Sequence, residues 1–344
     1  MRPIIGITMG DPAGNGPELS VKALMEKEYY EKAKPIIIGD ANCIEEAIEI
    51  LGQKDKLSVH AVQDVKDAIF EYGTIDVYDM GLVDISKKEF GKVQKMCGEA
   101  AFQYVKKVIE LALNKEVDAT VTNALNKEAI NLAGHHYSGH TEIYADYTHT
   151  KSYSMMLAHD EMRVAHVSTH VSMLNACKAV KKDRVLEVIR LADAGCKQMG
   201  IKEPKVAVAG LNPHAGENGL FGREEIEEIQ PAIDEALKEG IIIPDKAPTP
   251  ADTVFSKMIG GWYDIVVVMY HDQGHIPLKV KGFVYNKAKG KWDAVAGVNI
   301  TLGLPIIRVS VDHGTGFGHA GDGSASPDSL KNSIDYAIKF ANNK

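Results

Sequence analysis

The amino-acid sequence predicts an α/β protein, and two patterns support this class. Short apolar runs rich in β-branched residues alternate with longer segments in which apolar residues recur at helical spacing. Such alternation is typical of mainly parallel sheets whose strands are joined by helices. Polar or glycine-rich residues follow several of the apolar runs, and open α/β sheets bind ligands at the carboxyl ends of their strands.

The predicted strands are short apolar runs spread along the whole chain. They comprise Ile4–Met9, Pro35–Gly39, Ala119–Thr122, Ser154–Ala158, Val164–Ser168, Lys205–Gly210, Ile265–Tyr270 and Ile306–Val311. The run Ile265–Tyr270 is apolar throughout, which indicates a strand buried on both faces. It leads directly into His271, Asp272 and His275, whose side chains are costly to desolvate unless they bind something.

Three long segments between these runs are predicted to be amphipathic helices. In residues 98–115, the side chains of Phe102, Val105 and Ile109 fall on one helical face. Residues 183–200 and 223–240 show similar spacing, and each ends in a glycine that is typical of a helix C-cap. No linker rich in proline, glycine or serine divides the sequence, so we expect two domains between which the chain crosses more than once.

Composition and charge exclude several classes of protein. The chain has 344 residues, of which 45% are hydrophobic and 25% charged, and its net charge is −8. The mean hydropathy is −0.15. This size suits two globular domains. The negative net charge argues against a protein that binds nucleic acid or an anionic membrane over a large basic surface. No apolar run approaches the roughly 20 residues that span a bilayer.

The cysteines and the start of the sequence indicate a cytoplasmic protein. Cys43, Cys97, Cys177 and Cys196 lie far apart without a C-x-x-C pair, which argues against a disulfide framework and against a thiolate zinc site. We expect them to act as small buried hydrophobic residues in a reducing compartment. The segment MRPIIGITMGD leads straight into a predicted strand without the features of a signal peptide.

Three histidines that follow or end predicted strands form a candidate metal site: His170, His214 and His271. Imidazoles from separate strand ends commonly hold a borderline divalent metal ion with coordination positions left open. The alternative is that each histidine is simply hydrogen-bonded or exposed to solvent. His214 belongs to NPHAGENGLFGREE (212–225), a turn-rich loop whose glycines let the backbone approach a ligand. Glu224 and Glu225 suit the first turn of the helix that follows.

Other residues suit an anionic ligand. Arg308 lies inside an apolar strand and needs an anionic partner, which is either a ligand phosphate or carboxylate or an internal aspartate. With Lys279 and Asn299 it forms a candidate phosphate site. His140 and Thr141 could hydrogen-bond a carboxylate or hydroxyl of a substrate.

Two glycine-rich segments could present backbone N–H groups to an anion. The first, ITMGDPAGNGPELSVKAL (7–24), is neither the G-x-G-x-x-G dinucleotide fingerprint nor a P-loop, and a tight turn between a strand and a helix explains it equally well. The second, VDHGTGFGHAG (311–321), could close around the pyrophosphate of a cofactor.

These segments together resemble the 4-hydroxythreonine-4-phosphate dehydrogenase family over essentially the full length. The motifs that carry the resemblance are GDPAGNGPE (10–18), SGHTE (138–142), STH (168–170), NPHAGE (212–217), PADTVF (250–255), HDQGHIPLK (271–279), GVNITLGLP (297–305) and SVDHGT (310–315). The resemblance implies an isocitrate/isopropylmalate dehydrogenase-like fold, with two α/β/α domains, an active-site cleft between them and a homodimer. We expect residues 1–130 plus 305–344 to form the first domain. Residues 131–304 would form the second, with the metal-site histidines and the dimer contacts.

The resemblance also implies roles for individual residues. The metal-binding histidines of the family match His170, His214 and His271, and they come from both subunits. The substrate-binding residues match His140, Thr141, Lys279, Asn299 and Arg308. Asp252 or Asp272 is the candidate base or supporting residue, with Lys279 as a further catalytic candidate. The candidate cofactor-binding residues are Asp312, His313, Gly314 and Thr315.

The implied reaction is NAD(P)-dependent oxidation of the hydroxyl β to the carboxylate of a four-carbon acid 4-phosphate, followed by loss of CO2. One divalent metal ion per active site (Zn, Mg, Mn or Co) would stabilise negative charge on the substrate oxygen. Arg308, Lys279 and Asn299 would bind the phosphate, while His140 and Thr141 would orient the acid end.

The segment VKGFVYNKAKGKWDAVA (280–296) is longer than its counterpart in the vitamin B6 branch of the family. It resembles the branch that acts on D-threonate or D-erythronate 4-phosphate and yields dihydroxyacetone phosphate, which is the favoured interpretation. The alternative substrate is 4-hydroxythreonine 4-phosphate, used in pyridoxal phosphate synthesis. A metal-dependent hydrolase and a catalytically silent phosphometabolite-binding protein remain as hypotheses from other classes.

Overall fold

The computed structural model describes residues 2–287, 291–295 and 297–344. Its strands are β1 (Ile4–Thr8), β2 (Lys34–Gly39), β3 (Ser58–Val62), β4 (Thr74–Asp79), β5 (Ala119–Thr122), β6 (Ser154–His159), β7 (Met162–His166), β8 (Val206–Val208), β9 (Ile265–Val268), β10 (Phe283–Asn286), β11 (Lys291–Val295), β12 (Val298–Leu302) and β13 (Ile307–Val311). Its helices are α1 (Gly16–Leu24), α2 (Lys27–Lys32), α3 (Ala41–Ile50), α4 (Lys95–Leu113), α5 (Lys127–Leu132), α6 (His140–Tyr147), α7 (Met173–Ala179), α8 (Lys182–Gln198), α9 (Gln230–Lys238), α10 (Ala251–Ile259), α11 (His271–Gly282) and α12 (Asp328–Asn342). This alternation confirms the predicted α/β class.

The chain forms two compact units. Unit 1 comprises the residues up to Lys151 together with Leu304–Asn342, and unit 2 comprises Ser152–Gly303 with Asn343–Lys344. Among the described residues, no helix is long and apolar enough to cross a bilayer.

Unit 1 is built on a parallel sheet with the strand order β3-β4-β2-β1-β5-β13. The central strands are apolar and buried on both faces, as parallel strands covered by helices should be. Helix α4 packs on this sheet and on α5 and α6, and Phe102, Val105 and Ile109 of its predicted apolar face are buried.

Residues 131–151 belong to unit 1, although the sequence placed the domain boundary after residue 130. Helices α5 and α6 pack on α4, and this packing decides where the segment belongs. A Cβ at Gly98 of α4 would lie 2.1 Å from the carbonyl oxygen of Ala129, so only glycine permits this approach. The imidazole of His135 also stacks on the Phe102 ring, with centroids 3.6 Å apart. The observed division of the chain therefore falls after Lys151.

Unit 2 contains a mixed sheet with the order β12-β6-β7-β9-β8. Strands β7, β9 and β8 are parallel neighbours, whereas β6 pairs antiparallel with both β7 and β12. The expectation of mainly parallel sheets therefore needs correction for this unit. Only Asp160 and Glu161 separate β6 from β7, and so short a connection can join antiparallel strands only.

The core of unit 2 lies between its sheet and the helices α10 and α11. It includes Leu157, Met162, Val164, Val266, Val268, Met258 and Leu278, all with exposures between 0 and 1%. Cys43, Cys97 and Cys196 are buried, as predicted for small hydrophobic residues, whereas Cys177 is partly exposed.

The segment 280–296 forms the end of α11 and an antiparallel pair of strands, β10 and β11. Residues 288–290 and 296 of this segment lie outside the described residues.

Candidate functional site

In unit 2, the three candidate metal-binding histidines follow three adjacent parallel strands. His170 comes after β7, His271 after β9 and His214 after β8. Because the carboxyl ends of parallel neighbours share one edge of the sheet, the backbone brings these segments to the same side of unit 2. The sequence predicted strand ends for all three residues, but it could not show that the strands were neighbours.

His170 and His271 are close together and line one cavity of about 430 Å³. The centroids of their rings are 5.6 Å apart. His271 Nδ1 lies 2.7 Å from Asp272 Oδ1, and a carboxylate can only accept, so Nδ1 carries the proton. In the tautomer with its proton on Nδ1, the Nε2 atom keeps the lone pair that a metal-binding histidine needs.

His214 lies in a left-handed turn of the loop that follows β8, here called the His214 loop (residues 210–219). Residues 214–218 have φ values between 43° and 81°, and only Gly216 among them is a glycine. Left-handed backbone costs a non-glycine residue roughly 1–2 kcal/mol. Such a run persists only where surrounding contacts hold it.

Glu225 supplies contacts that hold the His214 loop. It is 3% exposed, and its Oε1 atom accepts from the backbone N–H groups of Leu211 and Asn212, both at 2.7 Å. Its Oε2 atom accepts from Asn212 Nδ2 at 2.9 Å. Hydrogen bonds to a charged group contribute about 1.5–3 kcal/mol each, so three of them are of the same order as the strain in the turn.

Gln273 connects the two histidine-bearing turns of β8 and β9. Its Nε2 donates to the Gly210 carbonyl and its Oε1 accepts from the Met269 N–H, each at 2.7 Å. The side chain is 7% exposed. The polar cluster at 271–275 is therefore partly structural, since Gln273 binds the start of α11 to the start of the His214 loop.

Two further histidines lie next to His271: the motif HDQGH had already suggested His275 as a supporting residue, whereas the sequence assigned no role to His166. The ring of His275 stacks on that of His271, with centroids 3.6 Å apart and planes 11° apart. His275 Nδ1 donates to the His271 carbonyl at 2.9 Å. The buried His166 ring lies 4.9 Å from His275. Burial lowers the pKa of His166 to about 3 and that of His275 to about 4, so both are neutral. The i, i+4 spacing of His271 and His275 was the available signal.

One chain does not assemble a complete metal site from the residues that the structure describes. Within the described ranges, no group of three or more His, Cys, Asp or Glu side chains is placed to hold a metal ion. His170 and His271 are close to each other, whereas the His214 ring lies 6.2 Å from that of Phe221. The donor chemistry of the three histidines fits a divalent ion.

In unit 1, Arg308 lies on β13 as predicted and is 3% exposed. Its Nη2 donates to Thr122 Oγ1 at 3.1 Å, and its Cζ lies 5.6 Å from the centroid of the Tyr144 ring. The Tyr144 hydroxyl donates to Thr120 Oγ1 at 2.9 Å, which fixes the ring. Burial lowers the pKa of Arg308 to about 10, so the guanidinium stays charged at neutral pH.

His140 and Thr141 occupy the first turn of α6. His140 Nε2 is buried and has no hydrogen-bond partner among the described residues. Burial, and then the positive charge of Arg308, holds the pKa of His140 well below its usual value. The imidazole is therefore neutral and can both donate and accept one hydrogen bond.

The remaining candidates of unit 2 lie on α10, α11 and β12. Lys279 Nζ lies 5.2 Å from the Phe283 ring, and Asn299 Nδ2 donates to Met155 Sδ at 3.0 Å. Asp252 is exposed in the first turn of α10, while Asp272 is exposed and bound to His271. Of the two aspartates, Asp272 is thus the one with an observed contact to a candidate ligand.

The candidate cofactor residues Asp312, His313, Gly314 and Thr315 follow β13 in a glycine-rich loop (residues 312–323). The N–H of Asn15 donates to the Thr315 carbonyl at 2.9 Å. Glu18, which is 1% exposed, accepts from the N–H groups of Gly321 and Gly323 at 2.5 and 2.7 Å. The GDPAGNGPE segment therefore holds the glycine-rich loop, a role that the sequence did not reveal.

The chain is similar to dehydrogenases over almost its full length. A curated protein from Oceanobacillus iheyensis named "Putative D-threonate 4-phosphate dehydrogenase" is 47% identical over 100% of this chain and 99% of its own. The crystal structure of a 4-hydroxythreonine-4-phosphate dehydrogenase from Burkholderia phymatum is 41% identical, with a TM-score of 0.85 and coverage of 99% and 98% of the two chains. One from Klebsiella pneumoniae is 40% identical, also with a TM-score of 0.85, over 98% and 99%.

These comparisons and the fold define an oxidoreductase, a dehydrogenase that acts on a CH–OH group. The family model described as "Pyridoxal phosphate biosynthetic protein PdxA" matches residues 31–337. The chain belongs to the PdxA family, which confirms the family resemblance drawn from the motifs and favours a dehydrogenase over a hydrolase or a silent binding protein.

Proposed function

We propose that this enzyme uses NAD or NADP to oxidise the hydroxyl β to the carboxylate of a four-carbon acid 4-phosphate. D-threonate or D-erythronate 4-phosphate is the favoured substrate, and decarboxylation then gives dihydroxyacetone phosphate. The single observation that carries the proposal is the set of three histidines at the ends of the adjacent parallel strands β7, β9 and β8. Relatives named for D-threonate 4-phosphate, at 43–47% identity, support the choice of substrate.

A divalent ion suits the histidine donors, and His170, His214 and His271 would hold it, with ligands from both subunits. When bound, such an ion supplies positive charge that stabilises negative charge developing on a substrate oxygen. Asp272 would keep His271 in the tautomer whose Nε2 faces the ion, because it accepts the Nδ1 proton.

The substrate would be bound by the cationic and polar side chains already described. The phosphate would be bound by the guanidinium of Arg308, the ammonium of Lys279 and the amide of Asn299. Neutral His140 would donate a hydrogen bond to the carboxylate and Thr141 would bind beside it. These contacts orient the acid so that its two reacting bonds are presented to the cofactor and to the base.

The chemistry then has two steps. In the first, the carbon that carries the hydroxyl loses a hydride to the nicotinamide ring and the hydroxyl loses its proton to a base. In the second, the bond between the carboxylate and its neighbouring carbon breaks, CO2 leaves, and the electron pair remains as an enolate that is then protonated. The base would be Asp252 or Asp272, with Lys279 as a further candidate, and the glycine-rich loop would supply the cofactor contacts.

The proposal extends to the fold and the assembly. The two units would form an isocitrate/isopropylmalate dehydrogenase-like fold, and the protein would be a homodimer. Large apolar side chains next to His170 support the dimer, because Val171, Met173 and Leu174 are 51, 57 and 65% exposed. Clustered exposed apolar residues mark interaction surfaces.

A specific observation favours a second candidate substrate. Solved structures at 40–41% identity are named 4-hydroxythreonine-4-phosphate dehydrogenases, so 4-hydroxythreonine 4-phosphate remains the alternative.

The deciding experiment compares NADH or NADPH formation from D-threonate 4-phosphate, D-erythronate 4-phosphate and 4-hydroxythreonine 4-phosphate with the metal-supplemented enzyme. We expect kcat/KM for a sugar-acid phosphate to exceed that for the amino acid at least about tenfold, or about 1.4 kcal/mol. The opposite ranking would assign the enzyme to the vitamin B6 branch. No reduction of either cofactor with any of the three would contradict the proposed reaction.

A further inference from the structure

The His214 loop is the most unusual backbone near the candidate site. Its residues 214–218 all have left-handed φ values, and His214 itself has φ 52°. The loop therefore holds a conformation that its own non-glycine residues disfavour. A side chain outside the loop has to maintain it.

We propose that Glu225 is a positioning residue that holds the His214 loop in its left-handed turn and so presents His214 to a divalent metal ion. This inference rests on the proposed function, because it takes His214 to be a metal ligand. Glu225 itself contacts neither the substrate nor the ion in this proposal.

The contacts of Glu225 are placed where they fix the start of the turn. Oε1 binds the N–H groups of Leu211 and Asn212, which are the two residues before Pro213. Oε2 binds the side chain of Asn212. These bonds hold the backbone two and three residues before His214, at the point where the chain leaves β8 and turns.

Two glycines of the His214 loop also lie close to the Glu225 carboxylate. A Cβ at Gly216 would lie 2.7 Å from Glu225 Oε2, and a Cβ at Gly210 would lie 3.3 Å from Oε1. Gly216 has φ 81°, which favours glycine for a second reason. Gly210 and Gly216 thus both lie against the Glu225 carboxylate, and His214 lies between these two glycines in the chain.

Neighbouring glutamates on the same segment do not make these contacts. Glu224 accepts from Asn212 Nδ2 at 2.7 Å and from the backbone N–H groups of Arg223 and of its own residue, and Glu227 forms an exposed ion pair with Arg223. Glu227 is therefore a matched control, since its removal takes away one carboxylate from the same helical turn and leaves the loop intact.

The test measures binding of Co²⁺ alone to the purified full-length protein, by chelator competition and by its visible spectrum. We expect Glu225→Ala to bind Co²⁺ about 10- to 100-fold more weakly than the wild type, as loss of a supporting contact does in metal sites. Glu225→Gln, which keeps one carbonyl acceptor, should recover part of the affinity. Glu227→Ala should bind like the wild type. Unchanged affinity and spectrum in folded Glu225→Ala would overturn the proposal.

A second variant and a reference keep the outcome clear. If Glu225→Ala does not fold, Gly216→Ala tests the left-handed turn itself, because the added Cβ would lie 2.7 Å from Glu225 Oε2 and φ 81° disfavours alanine, and it too should weaken Co²⁺ binding. His214→Ala tests the proposed function separately. If His214→Ala binds Co²⁺ like the wild type, the ligand assignment fails. If His214→Ala weakens Co²⁺ binding but the Glu225 and Gly216 variants bind Co²⁺ like the wild type, His214 stays a ligand and only the positioning role of Glu225 is overturned.

Discussion

Arg308 and Asp11 are both buried in unit 1, and burial disfavours the charged form of each, so their pKa values shift in opposite directions. Arg308 is 3% and Asp11 1% exposed. Burial lowers the pKa of Arg308 to about 10, so the side chain keeps its charge at neutral pH. Burial raises the pKa of Asp11 to about 6, because only the Ala13 N–H, at 2.9 Å, and the charge of Lys88 oppose the desolvation of its carboxylate. Arg308 is thus suited to bind an anion, whereas Asp11 opposes folding when it is ionised.

Arg308→Lys should lower kcat/KM for the 4-phosphate substrate at least about tenfold, or about 1.4 kcal/mol. A lysine ammonium cannot reproduce the planar fork that binds a phosphate at two points. Steady-state kinetics check this. Arg163→Lys is the control, because Arg163 is also buried but donates to the Asp264 carbonyl in unit 2. Equal losses in the two variants would contradict a role in phosphate binding.

Asp11→Asn should make the free energy of unfolding less dependent on pH. The folded pKa of Asp11 lies above its unfolded value of about 4, so its contribution to stability is present below pH 4 and is lost as the pH rises through about 6. The variant should therefore gain on the order of 2 kcal/mol over the wild type between pH 4 and pH 7. Urea unfolding at both pH values measures this gain, and exposed Asp55→Asn should show none. A parallel pH dependence in Asp11→Asn and wild type would refute the assignment.

At the scale of elements, strand ends and the segments that hold them organise the candidate site. The three histidines follow strands β7, β9 and β8. The side chain of Gln273 joins the turns after β9 and β8, and that of Glu225 binds the turn after β8. In unit 1, helix α1 holds the glycine-rich loop through Glu18, and Lys22 Nζ donates to the carbonyls of Gly323 and Ala325, each at 2.6 Å. The His214 loop and the glycine-rich loop are thus fixed by polar and charged side chains of neighbouring segments.

Glu18→Ala should weaken binding of NAD or NADP about tenfold, if the glycine-rich loop binds the cofactor as proposed. The variant leaves the N–H groups of Gly321 and Gly323 without their acceptor, so the loop loses its fixed conformation. Calorimetric titration with each dinucleotide measures the affinity. Glu26→Ala is the control, since Glu26 only pairs with Lys331. A folded Glu18→Ala protein with wild-type affinity would argue against this loop as the cofactor site.

For the whole molecule, the exposed apolar residues of unit 2 are the main sign of an assembly. Leu174 is 65% exposed on α7, close in sequence to His170, and Ile276 and Val280 are 59 and 78% exposed on α11, which begins at His271. Exposed apolar side chains of this size beside candidate metal ligands call for an explanation. A second copy of the chain would cover them and complete the histidine set.

Leu174→Glu should convert the proposed dimer into a monomer and weaken Co²⁺ binding with it, because a charge placed in an apolar interface is costly to desolvate. Sedimentation equilibrium gives the mass. Leu132→Glu is the control, as Leu132 is 54% exposed on α5 of unit 1. An unchanged mass for Leu174→Glu would exclude this surface from the interface, and a monomeric wild type would remove the basis for shared ligands.

The amino-acid sequence by itself determined the α/β class, most strands and the family. The class and the strands follow from local patterns, such as the β-branched run Ile265–Val268 and the helical spacing in residues 98–115. The family follows from short motifs that occur in the same order as in its members. The sequence missed β3, β4, β10, β11 and β12. β3 is partly exposed and β4 includes Asp76 and Asp79, so their apolar signal is weak, and no strand was assigned to the motif that contains β12.

Only the tertiary structure decided which side chains meet. Three contacts join a side chain to a partner that local patterns do not identify. His275 stacks on His271, Glu225 binds the His214 loop, and Tyr144 makes a cation–π contact with Arg308. The same holds for residues 131–151, which pack on α4 and thereby join unit 1. Local patterns report what each segment prefers by itself, whereas contacts depend on strand order and on the packing of segments distant in the chain, which periodicity does not encode.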